Sequence, residues 1–229
     1  MTKVTIIGDT HGHLDKLIEA IPTDTDFVLQ VGDFGIFLDD SNLNAIPKRF
    51  HSSLGQFQEY YSEKKGFPVP VYFCKGNHED FLFLTNYNQD KPILPNLYYV
   101  PNGTVLTIQG VTVGFFGGNY SPKWFERDVP ANMQSQKILG YFNQTEIKTL
   151  RKSETVVDIL ITHEPCQALD FGSDRYGCEP IQKLIEELQP TYAFSGHIHK
   201  YAEGTIGRTK CVGLGAINYQ GRSTFDVTF

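Results

Sequence analysis

Five short stretches of the chain set metal-binding or proton-carrying side chains at the end of an apolar, β-type run. They are Gly8-Asp9-Thr10-His11-Gly12, Gly32-Asp33, Gly76-Asn77-His78-Glu79, Thr162-His163-Glu164 and Gly196-His197-Ile198-His199. Five of the seven histidines fall within them, so the imidazoles are concentrated rather than scattered. A strand that runs into a glycine-flanked Asp or His delivers a ligand at the carboxyl edge of a sheet, where open α/β sheets keep their sites. Asp9 and His11, like His197 and His199, can reach one cavity, because residues i and i+2 of an extended chain point the same way. Mixed Asp, His and Asn donors suit Mn, Fe, Zn or Co better than Ca or Mg, which favour all-oxygen shells. No cysteine adjoins these donor pairs, which argues against a thiolate zinc knuckle. Asp33, arriving from a strand of its own, could bridge two ions with its two oxygens. Such a pair, about 3.5–4 Å apart, clamps a phosphoryl group and lowers the pKa of a bridging water. His78 is then placed to donate a proton to a leaving oxygen or to hold a non-bridging one.

The elements that must position these residues are legible in the apolar spacing. Val4 to Ile7, Phe27 to Val31 and Val69 to Cys74 read as strands, each ending at one of the motifs. Leu14, Leu17, Ile18 and Ile21 repeat at helical spacing and Pro22 stops them; Ile46 to Lys65 reads as a longer amphipathic helix with Phe50, Leu54, Phe57 and Tyr61 on one face. Strand, helix, strand, helix, strand implies a parallel sheet with right-handed crossovers. Leu97 to Val100, Thr104 to Ile108 and Val111 to Phe116 form a group of short strands joined by turns at Asn102-Gly103 and Gln109-Gly110. Tyr120 to Tyr141 lacks clear periodicity and reads as an insertion, in part helical. A helix over Gln144 to Lys152, a strand over Val156 to Thr162, a helix over Pro180 to Leu188, a strand over Tyr192 to Ser195 and a glycine-punctuated tail of strands complete the order. The expected architecture is one domain over residues 1–229, two packed sheets with helices outside, and an insertion loop at about 119–142.

Taken in order, the five blocks resemble the calcineurin-like metallophosphoesterase superfamily, and they span residues 8–199. The resemblance implies an α/β fold built as a four-layer α/β/β/α sandwich of two mixed sheets flanked by helices. It implies one metal held by Asp9, His11, Asp33 and His199, and a second held by Asp33, Asn77, His163 and His197, with His78 as the catalytic histidine. The implied cofactors are two divalent or transition ions, Mn first, with Fe, Zn, Co or Ni as alternatives. From about Asp9 to Pro165 the framing sequence is also similar to the RNA lariat debranching enzymes. Ile46-Pro47-Lys48-Arg49-Phe50, Tyr60 to Lys65, Pro70 to Phe73, Pro95-Asn96-Leu97-Tyr98-Tyr99 and Gly110 to Gly114 carry that likeness. Two departures mark this chain as a relative of that family: Asp9 stands where its eukaryotic members commonly carry Cys, and the chain stops without their additional C-terminal region. Gly32-Asp33 is followed by Phe34 and Gly35 rather than by the Arg-Gly of Ser/Thr protein phosphatases, which lowers the protein-phosphatase reading.

The expected activity is therefore hydrolysis of a nucleotide or RNA-type phosphodiester, through attack of a metal-bridging hydroxide. A phosphomonoesterase, and a non-catalytic scaffold on the same fold, are the alternatives. Tyr120, Trp124 and Arg127 are candidates for the substrate, by stacking on bases and by charge on phosphate, although Tyr120, Trp124 and Phe125 could equally form the insertion's own small core. Glu79 and Glu164, beside ligands, read as capping or ligand-orienting groups, and His13 as a capping or outer residue. His51, Lys48, Arg49, Lys64 and Lys65 read as solvated; Arg175 and Tyr176 are weaker candidates for substrate contact. A net charge of −6 argues against broad electrostatic binding of nucleic acid, leaving room for a local groove. Four cysteines without C-x-x-C spacing read as reduced thiols. With no apolar run near the roughly 20 residues that span a bilayer and no signal peptide ahead of the first strand, a cytoplasmic protein without membrane partners is expected.

Overall fold

The computed structural model describes residues 1–39, 43, 55–130, 132–152, 155–172 and 176–229. The first sheet collects the strands that precede three of the motifs. Its members are β1 (Lys3–Ile7), β2 (Phe27–Gln30), β3 (Val71–Phe73), β4 (Leu97–Tyr99) and the tail strand β11 (Thr224–Thr228), in the order β11-β1-β2-β3-β4. β1 to β4 are mutually parallel, and β11 lies antiparallel on β1 with Thr5 opposite Asp226. The second sheet takes β5 (Thr104–Ile108), β6 (Val111–Phe116), β7 (Ile159–Thr162), β8 (Tyr192–Ser195), β9 (Ala202–Ile206) and β10 (Thr209–Gly213), in the order β5-β6-β7-β8-β10-β9. β6, β7, β8 and β10 are parallel there, and antiparallel partners stand at both edges. Both sheets are mixed, as expected.

Side-chain alternation along these strands builds three apolar layers. Val4, Ile6, Phe27 and Leu29 of the first sheet meet Val113, Phe115, Ile159, Ile161, Phe194 and Val212 of the second, and this is the core between the sheets. The opposite faces of the first sheet's strands, Ile7, Val28, Val71 and Phe73, receive Leu14 and Leu17 of α1 (Leu14–Glu19), Phe57 and Tyr60 of α2 (Phe57–Glu63) and Leu84 of α3 (Phe81–Leu84). Outside the second sheet, Phe116, Leu160, Ala193 and Cys211 are covered by Ile147 and Leu150 of α6 (Gln144–Arg151) and by Ile181, Leu184 and Ile185 of α7 (Glu179–Leu188). Helix, sheet, sheet, helix is the four-layer sandwich. Local chemistry sets the ends: Asn143 and Glu146 close a reciprocal capping box on α6, and Pro180 stands in the first turn of α7.

The group of short strands over 97–116 is divided rather than kept together. β4 is the parallel edge of the first sheet, β5 and β6 form a hairpin in the second, and Asn102-Gly103 carries the chain across. The Asn102 side chain secures that crossing by bonding both the N–H (2.7 Å) and the carbonyl (2.9 Å) of Gly117. The N-terminal part of the helix expected over Ile46 to Lys65, with Lys48, Arg49, Phe50, His51 and Leu54, lies outside the described residues, as does Arg175; the C-terminal part is α2. The insertion contains two single-turn helices, α4 (Pro122–Phe125) and α5 (Gln136–Leu139). All four cysteines are buried and free. Among the described residues no helix is long and apolar enough to cross a membrane.

Candidate metal centre

The turns after β1 and β2 are zipped to each other by backbone bonds. The N–H groups of Thr10 and His11 donate to the Asp33 carbonyl at 3.1 and 2.8 Å, and the Gly12 N–H donates to Phe34 at 2.8 Å. The buried Gln30 amide, at the end of β2, donates to the carbonyls of Gly8 (3.2 Å) and Gly32 (2.6 Å) and accepts from the Gly32 N–H (3.0 Å). From the turn after β3, the fully buried carboxylate of Glu79 accepts the N–H groups of Phe34, Gly35 and Ile36 at 2.7, 3.1 and 2.9 Å. Burial, reinforced by the charge of Asp33, pushes Glu79 up to about 8 against the pull of those three amides. Glu79 thus orients the Asp33 turn across 43 to 45 residues of sequence.

Both acidic donors are aimed by backbone amides. Asp33 Oδ1 accepts from the N–H groups of Asn77 (2.6 Å) and His78 (2.8 Å). The His197 N–H lies 3.2 and 3.0 Å from the two oxygens of Asp9. Such close approach needs glycine beside it. A Cβ on Gly196 would sit 1.9 Å from Asp9 Oδ1, and one on Gly76 would sit 2.1 Å from Asp33 Oδ1. His11, Asp33, His197 and His199 all adopt left-handed backbone conformations, with φ of 45°, 54°, 68° and 57°. A non-glycine residue there costs about 1–2 kcal/mol, and clusters of such strain mark functional sites.

Asp9, His11, Asp33 and His199 bring four donor atoms within 4.8 Å of one another. His199 Nε2 is 3.0 Å from Asp9 Oδ2 and 2.9 Å from His11 Nε2. Beside this group, His163 Nε2 lies 3.1 Å from Asn77 Oδ1 and 3.5 Å from Asp33 Oδ1, and the His163 and His197 rings are 5.0 Å apart. The Asp9, Asp33 and Asn77 turns follow strands of the first sheet, whereas His163, His197 and His199 follow strands of the second. His78 Nδ1 is 3.2 Å from His11 Nδ1 and 3.8 Å from Asp33 Oδ2.

Burial and neighbouring charge act in different directions on these groups. Burial lowers the pKa of His11 despite Asp33 and Asp9, and burial and then His163 lower that of His197. His199 is raised: burial opposes its charge, and the hydrogen bond and charge of Asp9 outweigh that. Burial also opposes charge on Asp33, yet the imidazoles of His163, His78, His11 and His197 hold its carboxyl well below the usual range. His163 Nδ1 faces the Val31 carbonyl at 3.0 Å. A carbonyl can only accept, so Nδ1 of His163 is the donor to Val31, which leaves Nε2, beside Asn77 and Asp33, as the nitrogen that could ligate.

Three other expected site residues have different surroundings. The Tyr120 ring packs 5.5 Å from Phe125 and 5.8 Å from Phe142, which is the small-core arrangement. Its backbone N–H donates to Glu164 at 3.0 Å, beside His163. Trp124 carries the Lys123 ammonium at 5.8 Å and the Arg127 guanidinium at 5.5 Å from its ring. His13 occupies the cap position of α1 but makes no side-chain capping bond. Sequence reasoning missed the residues that tie the insertion down. Lys75 Nζ donates to the carbonyls of Leu139 (2.8 Å) and Tyr141 (3.0 Å). Gln136 accepts from the Phe81 and Leu82 amides (2.7 and 3.3 Å) and donates to Asp80 (2.6 Å). A lysine directly after a buried strand was the one available signal.

Comparison with known proteins gives a consistent pattern. The family described as "Calcineurin-like phosphoesterase" matches residues 2–201. Among curated proteins, a lariat debranching enzyme of Drosophila melanogaster is 27% identical over 232 residues, and one of Homo sapiens is 28% identical over 233. Each alignment covers 86% of this chain and 42% of the relative, so the chain spans less than half the length of these proteins. Among solved structures, a phosphopantetheinyl hydrolase from Mycobacterium tuberculosis superposes with a TM-score of 0.56 at 11% identity, over 99% of this chain and 96% of that one, which is likeness of fold alone.

Proposed function

Because this chain belongs to the calcineurin-like phosphoesterase family, we propose that it is a two-metal phosphodiesterase acting on a nucleotide or RNA-type ester, with residues 1–229 as one domain carrying an insertion at 119–142. The observation that carries the metal reading is the pair of opposed donors. Asp9 Oδ2, His11 Nε2 and His199 Nε2 converge on one point, and the Nδ1–H of His163, given to Val31, leaves Nε2 to ligate. This mixture of imidazole nitrogen and carboxylate or amide oxygen fits Mn, Fe, Zn, Co or Ni. Asp9, His11, Asp33 and His199 would hold one ion; Asp33, Asn77, His163 and His197 would hold the other. Bound there, the two cations would supply Lewis acidity to water and to the phosphoryl oxygens.

The chain's own groups do the rest. Asp33 stays ionised among four imidazoles and keeps its orientation through two backbone amides. Were His11 to ligate through Nε2, its proton would reside on Nδ1, from which it could be donated to His78 Nδ1 at 3.2 Å. The His78 proton must then sit on Nε2, from which it can pass to the leaving oxygen. The likeness to lariat debranching enzymes favours a diester with ribonucleotide character. The test is hydrolysis of bis-p-nitrophenyl phosphate against p-nitrophenyl phosphate by manganese-loaded protein, beside metal analysis. Faster diester turnover with about two equivalents of metal supports the reading. Preference for the monoester removes the diesterase part, and a protein that takes up no metal removes the whole.

A further inference from the structure

Among the described residues, the large apolar side chains left exposed are Met1, Val156, Tyr219 and Phe229. Only Tyr219 of these makes a ring contact with a residue of the metal centre. Its ring stacks on that of His199, with centroids 5.2 Å apart and planes 27° from parallel, and it remains 56% exposed. One face thus lies against His199, and the residue stays more than half exposed.

The loop that carries Tyr219 is built into the centre. The Ile217 N–H donates to the carbonyl of Asp9 (2.8 Å), the Tyr219 N–H to Ala216 (3.1 Å), and the Gly215 N–H to Arg222 (2.9 Å), which closes the loop on itself. At its root, Gly215 lies against Gly8, where a Cβ would come within 2.0 Å of the Gly215 oxygen. An aromatic plane stacked at the rim of a cation site matches a flat heteroaromatic ring. A phosphoester whose phosphorus lies at the cations extends its nucleoside from the same rim.

We propose that Tyr219 is a stacking platform for the base of the nucleoside esterified to the scissile phosphate. This rests on the phosphoesterase reading above and adds to it the side of the centre on which the base lies, that of His199. Stacking on an aromatic side chain tolerates every base, so the platform selects nucleosides without selecting sequence.

The test uses manganese-loaded full chain, with adenosine 5′-monophosphate and ribose 5-phosphate as probes in calorimetric titrations. Wild type should bind the nucleotide about ten-fold or more tightly than the sugar phosphate, from the usual strength of one base–aromatic stack. Tyr219→Ala should erase that difference and leave ribose 5-phosphate affinity and metal content unchanged. Tyr219→Phe should keep it. Equal affinity for the two probes in wild type, or an undiminished nucleotide preference in Tyr219→Ala, overturns the platform while leaving the phosphoesterase reading intact. Failure of wild type to bind either phosphate overturns both.

Discussion

Substituting Gly196 by Ala tests the metal centre most sharply, because the structure fixes what the new methyl group meets. The added Cβ would lie 1.9 Å from Asp9 Oδ1 and 2.8 Å from Val31 Cγ2. Carbon and oxygen approach to about 3.3 Å at closest, so the Asp9 carboxylate must retreat by roughly 1.4 Å or the 196–199 turn must back away equally. Either movement separates Asp9 from His199, whose donor atoms are now 3.0 Å apart. Metal sites tolerate only about 0.2 Å of error in ligand distance, and a 1 Å misplacement costs about a hundred-fold in rate. The fold itself loses less, about 1–3 kcal/mol for one overpacked methyl. Gly196→Ala should therefore remain folded by circular dichroism, hold about one equivalent of manganese where wild type holds two, and turn over bis-p-nitrophenyl phosphate at least a hundred-fold more slowly. Gly215→Ala is the control: its Cβ meets nothing closer than 3.2 Å. It should stay within a few-fold of wild type. A Gly196→Ala protein with two tightly bound ions and normal turnover would show that Asp9 and His199 do not share a cation.

Further outcomes follow from the same geometry. His78→Ala should keep both ions and lose about 10²- to 10⁴-fold in kcat, measured under saturating manganese. Glu79→Ala leaves three amide N–H groups without their acceptor; at about 1–3 kcal/mol each, not fully additive, urea unfolding should show at least 3 kcal/mol of lost stability, with Glu79→Gln recovering part. Tyr60 is raised to about 12 by burial and by its hydrogen bond to Asp15. Its neutral form is favoured by folding, so this stabilisation is whole below about pH 10 and is lost as pH rises toward 12. Tyr60→Phe should flatten the alkaline limb of the stability curve. Chelation should lower the melting temperature, and manganese at about a thousand times its Kd should restore roughly 4 kcal/mol per site, read by calorimetry.

The parts of this molecule that were legible in the sequence are those written within a few residues. An apolar run, a glycine and a donor are adjacent in the chain, so the ends of β1, β2, β3, β7 and β8 could be read with their motifs. Long-range partnerships left no such trace. Nothing local distinguishes Leu97 to Tyr99 from the hairpin that follows, and only pairing with β3 assigns β4 to the first sheet. Glu79 reads as a capping or a ligand-orienting group, and the turn it holds appears only once residues 34–36 fold over it. The left-handed backbone of His11, Asp33, His197 and His199 is equally invisible, since histidine and aspartate do not announce it as glycine does. The insertion aromatics were ambiguous because one ring can serve a core or a ligand; the Tyr120 ring packs on Phe125 and Phe142.

The donors proposed for each ion come from both halves of the sandwich: Asp9, His11 and Asp33 with His199 across the seam, and Asp33 and Asn77 with His163 and His197 across it. On that proposal each cation would be a rivet through two plates, able to grip only when they are docked. Its apparent affinity is the intrinsic one scaled by the fraction of molecules in which the halves are seated. Any substitution that loosens the Phe115–Phe194 layer, far from every ligand, should weaken manganese binding in proportion, so a metal titration doubles as a gauge of how firmly the two sheets hold together.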